Sequence, residues 1–201
     1  MDYLTPTLNA VIVIGLLCAL LLVAVWSDVK SHRIPNWLVL AGAGLGLLLN
    51  SVLPLGYGFV SSLTGALGFN KALGGMALGL VIMLPLYVLK GMGAGDVKLT
   101  AMAGAFLGPN AIVGTIITTF IVGGVLALMI TMYRGSMGRL LVNVRTMLWG
   151  SIFKVAIREM PTLDAAPVSA GKLPYGIAIA AGTFIYIALQ RGGNMNFLKF
   201  L

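Results

Sequence analysis

Acidic residues and cysteine are scarce in this sequence. Aspartate and glutamate together occur five times in 201 residues, all charged residues amount to 9% of the chain, and there is one cysteine. A single cysteine excludes a disulfide framework within the chain and a multi-cysteine zinc site. Charged residues make up about a quarter of an ordinary soluble domain, whereas this chain is 59% hydrophobic. The composition therefore predicts a membrane protein.

Long apolar runs take the place of the missing charges. They predict an all-α polytopic membrane protein that forms one domain over residues 1–201 and has six transmembrane helices. The six predicted segments are 9–26, 34–53, 72–89, 99–107, 111–132 and 174–189. A turn at Gly108, Pro109 and Asn110 separates the fourth segment from the fifth. Pro35 is expected in the first turn of the second helix, where its missing N–H costs nothing.

Pairs of glycines spaced four residues apart occur in the second and third segments. They are Gly42 with Gly46, and Gly75 with Gly79. Such pairs let two helix backbones approach closely. We interpret them as contacts between helices of the same chain. A dimer face is the alternative, and the oligomeric state stays open.

The basic residues predict the orientation of the chain. If the N-terminus lies outside, Lys30, Arg33 and Lys98 and most basic residues of segment 133–173 face the cytoplasm. The net charge of +8 then fits an anionic lipid surface, and no nucleic acid is expected as a partner. Part of segment 133–173 is expected to form an amphipathic helix on that surface. Its last part, residues 161–173, is a hypothetical gate because of its position and its prolines.

Two of the five acids adjoin the predicted helices. Asp2 lies at the end of the chain, and Glu159 and Asp164 lie in segment 133–173, which leaves Asp28 and Asp96. At the centre of a membrane helix an aspartate costs about 2.5–3.5 kcal/mol, so its presence indicates a function. The structural alternatives are a loop acid after the first helix for Asp28 and a helix N-cap for Asp96.

Two aspartates at one membrane depth meet the chemical needs of an aspartic peptidase. One ionised carboxylate takes a proton from water, and its protonated partner donates to the scissile carbonyl, so the pair shares one proton. Gly93 and Gly95 permit positive φ and leave room for an extended substrate beside Asp96. Lys30 and Lys98 each follow an aspartate by two positions; they either tune these carboxyls or are interface charges.

Two other classes of function stay open at this point. Intramembrane acids also serve as proton or ion sites, and glycine-broken helices line transporter sites, so a small coupled transporter is one alternative. A non-catalytic assembly subunit with glycine-rich packing faces is the other. No metal or other cofactor is expected, because the one histidine, His32, has no cysteine partner for a metal site.

Three motifs resemble those of the type IV prepilin peptidases. Gly-Ala-Gly-Asp at 93–96, followed by Val-Lys-Leu, looks like the GxGD motif of that family. Asp28 followed by Ile-Pro-Asn at 34–36 resembles its first aspartate motif, and Pro-Tyr-Gly at 174–176 resembles the element before its late helix. By position, Asp28 and Asp96 would be the catalytic pair. The motif residues expected to shape the site are Pro35, Asn36, Pro174, Tyr175 and Gly176.

The resemblance implies an activity and a location. The family are intramembrane aspartic endopeptidases that cut the short basic leader from prepilins and pseudopilins at the cytoplasmic face of the bacterial inner membrane. Bifunctional members carry an insert with paired cysteines and also methylate the new N-terminus. This chain has one cysteine. It is therefore similar to the small, peptidase-only branch associated with tight-adherence (Flp-type) pili, and methyltransferase activity is not expected.

Overall fold

The computed structural model describes residues 4–61, 64–89, 91–133, 135, 138, 142, 146 and 175–191. Every regular element in that part of the chain is a helix, so the all-α prediction is confirmed for it. The helices are α1 (Leu4–Ser31), α2 (Asn36–Val52), α3 (Phe69–Val88), α4 (Ala94–Tyr133) and α5 (Tyr175–Arg191). Pro174, the gate at 161–173 and nearly all of the predicted surface helix lie outside the described residues.

The helices are those of a membrane protein. Among the residues that the structure describes, three stretches are long and apolar enough to cross a bilayer, namely Thr7–Ser31, Phe69–Val88 and Ala94–Tyr133. Helix α2 is apolar but has 17 residues, which is at the lower limit for a span of about 17–25 residues. Length and composition thus establish membrane helices without establishing six crossings.

Helix α4 is bent back on itself at Gly108. This residue has φ 77° and ψ 178°, a left-handed backbone that favours glycine, and Pro109 follows it. Gly75 of α3 packs against Gly104 and Gly108, and one turn further along Gly79 packs against Thr100 and Ile112. The two limbs of α4, 94–107 and 109–133, therefore pass α3 in opposite directions. The turn predicted at this point is confirmed.

Glycines bring the other helices equally close. In α2, Gly42 packs against Met102 and Gly46 against Phe106, both in the first limb of α4. In α5, Gly182 packs against the backbone of Thr119 in the second limb. Because both predicted glycine pairs have partners in this chain, their interpretation as intramolecular contacts is confirmed.

Helix α1 runs further than predicted. Residues 27–31, expected in a loop, continue the helix to Ser31, and the helix ends where His32 takes φ 49°. The hydroxyls of Ser27 and Ser31 donate to the Arg33 carbonyl at 3.0 and 3.2 Å, so polar side chains hold the turn that follows. Pro35 occupies the N-cap position of α2 and not its first turn.

A buried amide stabilises the break in α4. Helical bonding would pair the Ala105 carbonyl with residue 109, but Pro109 has no N–H. The fully buried Asn50 supplies the donor instead: its Nδ2 lies 3.0 Å from the Ala105 oxygen and 3.3 Å from the Phe106 oxygen. Its Oδ1 accepts the Leu67 N–H at 2.9 Å. Asn50 thus joins α2, the α2–α3 connection and the bend.

Replacing this amide tests its role. We expect Asn50→Leu to lower the free energy of unfolding by roughly 1–3 kcal/mol, because buried carbonyls lose their donor. Ser51→Ala is the matched control, since the exposed Ser51 hydroxyl bonds only the Leu47 carbonyl of its own helix; it should stay within about 0.5 kcal/mol of wild type. Thermal unfolding in detergent micelles measures both. Equal stability of the two variants would contradict this role.

Candidate active site

The N-terminus of α5 meets the last turn of α1 at Asp28. The Asp28 side chain is 8% exposed, and its Oδ2 accepts the backbone N–H of Gly176 at 3.0 Å. Gly176 is the second residue of α5, where helix geometry leaves the N–H without an intrahelical partner. The carboxylate of one helix therefore satisfies the free donor of another. The interpretation of Asp28 as a loop acid is wrong, because Asp28 is helical and buried.

The same contact offsets an unfavourable electrostatic position. Asp28 lies near the C-terminus of its own helix, where the helix dipole places partial negative charge. The N-terminus of α5 presents partial positive charge to it. No side chain fits between the two: a Cβ on Gly176 would lie 2.8 Å from Asp28 Oδ2. Glycine at position 176 therefore permits this close approach.

Asp96 lies in the first turn of α4. It is the third residue of the helix, it is half-buried, and its Oδ2 accepts the N–H of Gly93 at 3.2 Å. An acidic side chain that reaches back from this position to the residue before the helix forms one half of a capping box. The N-cap alternative is thus corrected, since Gly93 directly precedes the helix and Asp96 closes its first turn.

Asp96 lies within electrostatic range of both Asp28 and Tyr175. The Tyr175 ring rests on Gly123 of the second limb of α4, where a Cβ would lie 3.3 Å from its hydroxyl. Gly123 was not predicted, because a glycine in an apolar run gives no signal of this contact.

Of the two glycines beside Asp96, Gly95 lies against Ile34. Neither Gly93 nor Gly95 takes a positive φ. A Cβ on Gly95 would lie 3.3 Å from the Ile34 Cβ, so this glycine makes room for Ile34. The expectation that Gly93 and Gly95 leave room for an extended substrate stays a prediction.

The remaining predicted residues lie close to the two aspartates along the chain. The Lys98 ammonium donates to Asn36 Oδ1 at 3.0 Å, which joins α4 to the first residue of α2. Pro35 is half-buried directly before α2, and Lys30 is exposed in the last turn of α1. In the part of the chain that the structure describes, no three His, Cys, Asp or Glu side chains cluster as metal ligands would. The roles of all these residues stay predictions.

Fold and site together define a helical membrane protein with two carboxylates at helix ends, within electrostatic range of each other. The sequence model of the type IV leader peptidase family matches residues 15–128, more than half of the chain. The chain therefore belongs to the type IV leader peptidase family, and the resemblance seen in its motifs is confirmed. The match includes both aspartates and ends before α5.

A curated relative extends the comparison. The chain is similar to the "Prepilin leader peptidase/N-methyltransferase" of Stutzerimonas stutzeri, with 38% identity over 114 residues. The aligned part covers 55% of this chain and 37% of the relative, so this chain spans well under half of that protein's length. No solved structure matches the chain.

The contact between Asp28 and Gly176 gives the second prediction. We expect Gly176→Ala to lower the free energy of unfolding by about 1–3 kcal/mol, because the added methyl overpacks against the buried carboxylate. Gly124→Ala is the matched control: a Cβ there meets nothing within 4 Å, so it should stabilise α4 by about 0.4–1 kcal/mol. Unfolding in micelles measures both. A stabilising effect of Gly176→Ala would refute the close approach.

Proposed function

We propose that this chain is an intramembrane aspartic endopeptidase that removes the basic leader from prepilin-like proteins at the cytoplasmic membrane face. The observation that carries the proposal is that Asp28 and Asp96, two of the five acids in the chain, lie within electrostatic range of each other. Membership of the leader peptidase family supports proteolysis. The name of the curated relative supports a prepilin as the substrate.

The geometry suits a general acid–base mechanism. The mechanism uses one carboxylate in its ionised form and the other in its protonated form. The ionised member takes a proton from water, whose oxygen then forms a bond to the scissile carbonyl carbon. The protonated member donates to the carbonyl oxygen. When the tetrahedral intermediate collapses, the C–N bond breaks and the leaving amine takes the proton that water gave up.

The arrangement of helix ends supports a cytoplasmic site. Helix α1 ends beside Asp28, α2 begins after a short turn, and α4 and α5 both begin at the carboxylate pair. The bend at Gly108 returns the second limb of α4 to the same side, where Gly123 meets Tyr175. We propose six crossings of a bacterial inner membrane with the N-terminus outside. The exposed Lys30, Arg33 and Lys98 then face the cytoplasm and its anionic lipid.

The proposal is limited to the peptidase activity. The curated relative is named for two activities, whereas the paired cysteines expected of the methylating members are missing from a chain with one cysteine. Assignment to the Flp-type branch and the absence of methylation rest on that count. They stay predictions, as does the gate at 161–173.

Substitution of each aspartate tests the mechanism. We expect Asp28→Asn and Asp96→Asn each to reduce leader removal by at least about 10²–10⁴-fold, since neither amide can act as the acid or the base. Asp2→Asn, outside the pair, should cleave as wild type does. The measurement is the shortening of a co-expressed prepilin on a gel, with equal membrane insertion of all variants as the control.

The same experiment separates the proposed function from its alternatives. If both variants still cleave, the aspartates are structural and the mechanism fails. An assembly subunit would keep its function in Asp96→Asn. A proton-coupled transporter would lose transport while having no effect on the length of the prepilin.

Paired cysteine variants test the orientation. Ser31 and Ser51 are exposed serines at opposite ends of the α1–α2 hairpin. In a Cys18→Ser background, a membrane-impermeant maleimide should label Ser51→Cys in intact cells. It should label Ser31→Cys only after the membrane is opened. The reverse pattern would place the aspartates on the outer face and contradict the proposed topology.

A further inference from the structure

The chain that follows Asp28 is fastened to the chain that carries Asp96. Ile34 covers Gly95, so that a Cβ there would lie 3.3 Å from the Ile34 Cβ. The Lys98 ammonium donates to Asn36 Oδ1 at 3.0 Å, which joins residues 62 positions apart. We call these four residues, Ile34, Asn36, Gly95 and Lys98, the clasp. The clasp thus consists of one apolar contact, between Ile34 and Gly95, and one hydrogen bond, between Lys98 and Asn36.

The clasp lies close to both carboxylates along the chain. Gly95 directly precedes Asp96, and Lys98 follows it by two positions. On the other side, Ile34 is tied to Asp28 by a short, hydrogen-bonded turn. The His32 N–H donates to the Asp28 carbonyl at 2.8 Å, and the hydroxyls of Ser27 and Ser31 hold the Arg33 carbonyl. Because few rotatable bonds separate the clasp from either aspartate, a displacement of the clasp residues displaces the aspartates as well.

The pair needs such a restraint because the proposed mechanism uses both carboxylates on one peptide bond. Catalysis by positioned groups tolerates little displacement, since a misplacement of about 1 Å can cost on the order of 10²-fold in rate. The neighbouring contacts of Asp28 and Asp96, to Gly176 and Gly93, each hold one carboxylate and do not link the two.

We propose that the clasp sets the separation of the two aspartates, and that Asn36 and Lys98 are positioning residues acting through Asp28 and Asp96. This inference rests on the proposed peptidase function. It assigns the ammonium of Lys98 to the Asn36 amide oxygen and not to the leader. The expected loss on breaking the clasp is therefore in kcat, whereas a residue that binds the leader would change KM.

A double-mutant cycle tests the inference. Lys98→Met, Asn36→Leu and the double variant are reconstituted in vesicles with a purified prepilin that has a basic leader. We expect each single variant to lower kcat about 10- to 100-fold with KM unchanged. The double variant should be no slower than the slower single variant, because both remove one contact. Lys98→Arg should retain most of the activity, since the guanidinium still donates to the amide oxygen.

Controls define the results that would overturn the inference. Lys71→Met removes an exposed lysine from the first turn of α3 and should match wild type. Multiplicative losses in the double variant, a rise in KM at constant kcat, or wild-type kinetics in Lys98→Met would each refute the positioning role. A result in which Lys98→Arg is as slow as Lys98→Met would also refute it.

A measurement without substrate tests the contact itself. Amide hydrogen exchange should become faster in Lys98→Met at both 32–38 and 93–99, and in Lys71→Met at neither. Unchanged exchange at 32–38 would show that the two segments are not joined.

Asp96→Asn in the same kinetic assay separates the two proposals. If Asp96→Asn loses activity while the clasp variants behave as wild type, only the positioning role of the clasp is refuted. Full activity of Asp96→Asn overturns the peptidase mechanism together with the catalytic role of the clasp.

Discussion

The arrangement of the site depends on the hydrogen bond between the Asp28 carboxylate and the N-terminus of α5. A buried carboxylate is tolerated only when donors surround it, and a helix N-terminus has donors that nothing else in the helix uses. Gly176 supplies that donor at 3.0 Å and has no side chain to keep the carboxylate away. The carboxylate thereby gains a donor, and the backbone N–H of Gly176 gains an acceptor. This mutual need fixes where α5 begins relative to α1.

Close packing of glycines lets several helix ends reach one place. Gly75 and Gly79 admit both limbs of α4 to the surface of α3, and Gly42 and Gly46 admit the first limb to α2. Because lipid offers no hydrophobic force between helices, such contacts and buried hydrogen bonds hold a membrane bundle together. The position of Asp96 thus depends on helix contacts made far from its carboxylate. The bonds of Asn50 belong to the same framework.

The sequence was sufficient to predict an all-helical membrane protein and to select Asp28 and Asp96 as candidate site residues. Hydropathy locates apolar segments, and an acid-poor chain leaves few candidates once Asp2, Glu159 and Asp164 are set aside. The sequence did not predict where α1 ends, because hydropathy falls at Ser27 while helical backbone hydrogen bonding continues to Ser31. The Pro-Tyr-Gly motif had indicated Gly176 as a site residue, but not its hydrogen bond to Asp28, 148 positions away. Tertiary contacts of that kind leave no local pattern.

The bend at Gly108 explains why the site forms at one end of the bundle. A straight helix of 40 residues would extend about 60 Å, so Asp96 and Gly123 would lie far apart along it. The left-handed Gly108, with Asn50 bonding the freed carbonyls, folds the helix into two antiparallel limbs. Gly123 then returns to the level of Tyr175, beside the carboxylates. A polar residue remote from the aspartates is therefore part of what assembles them.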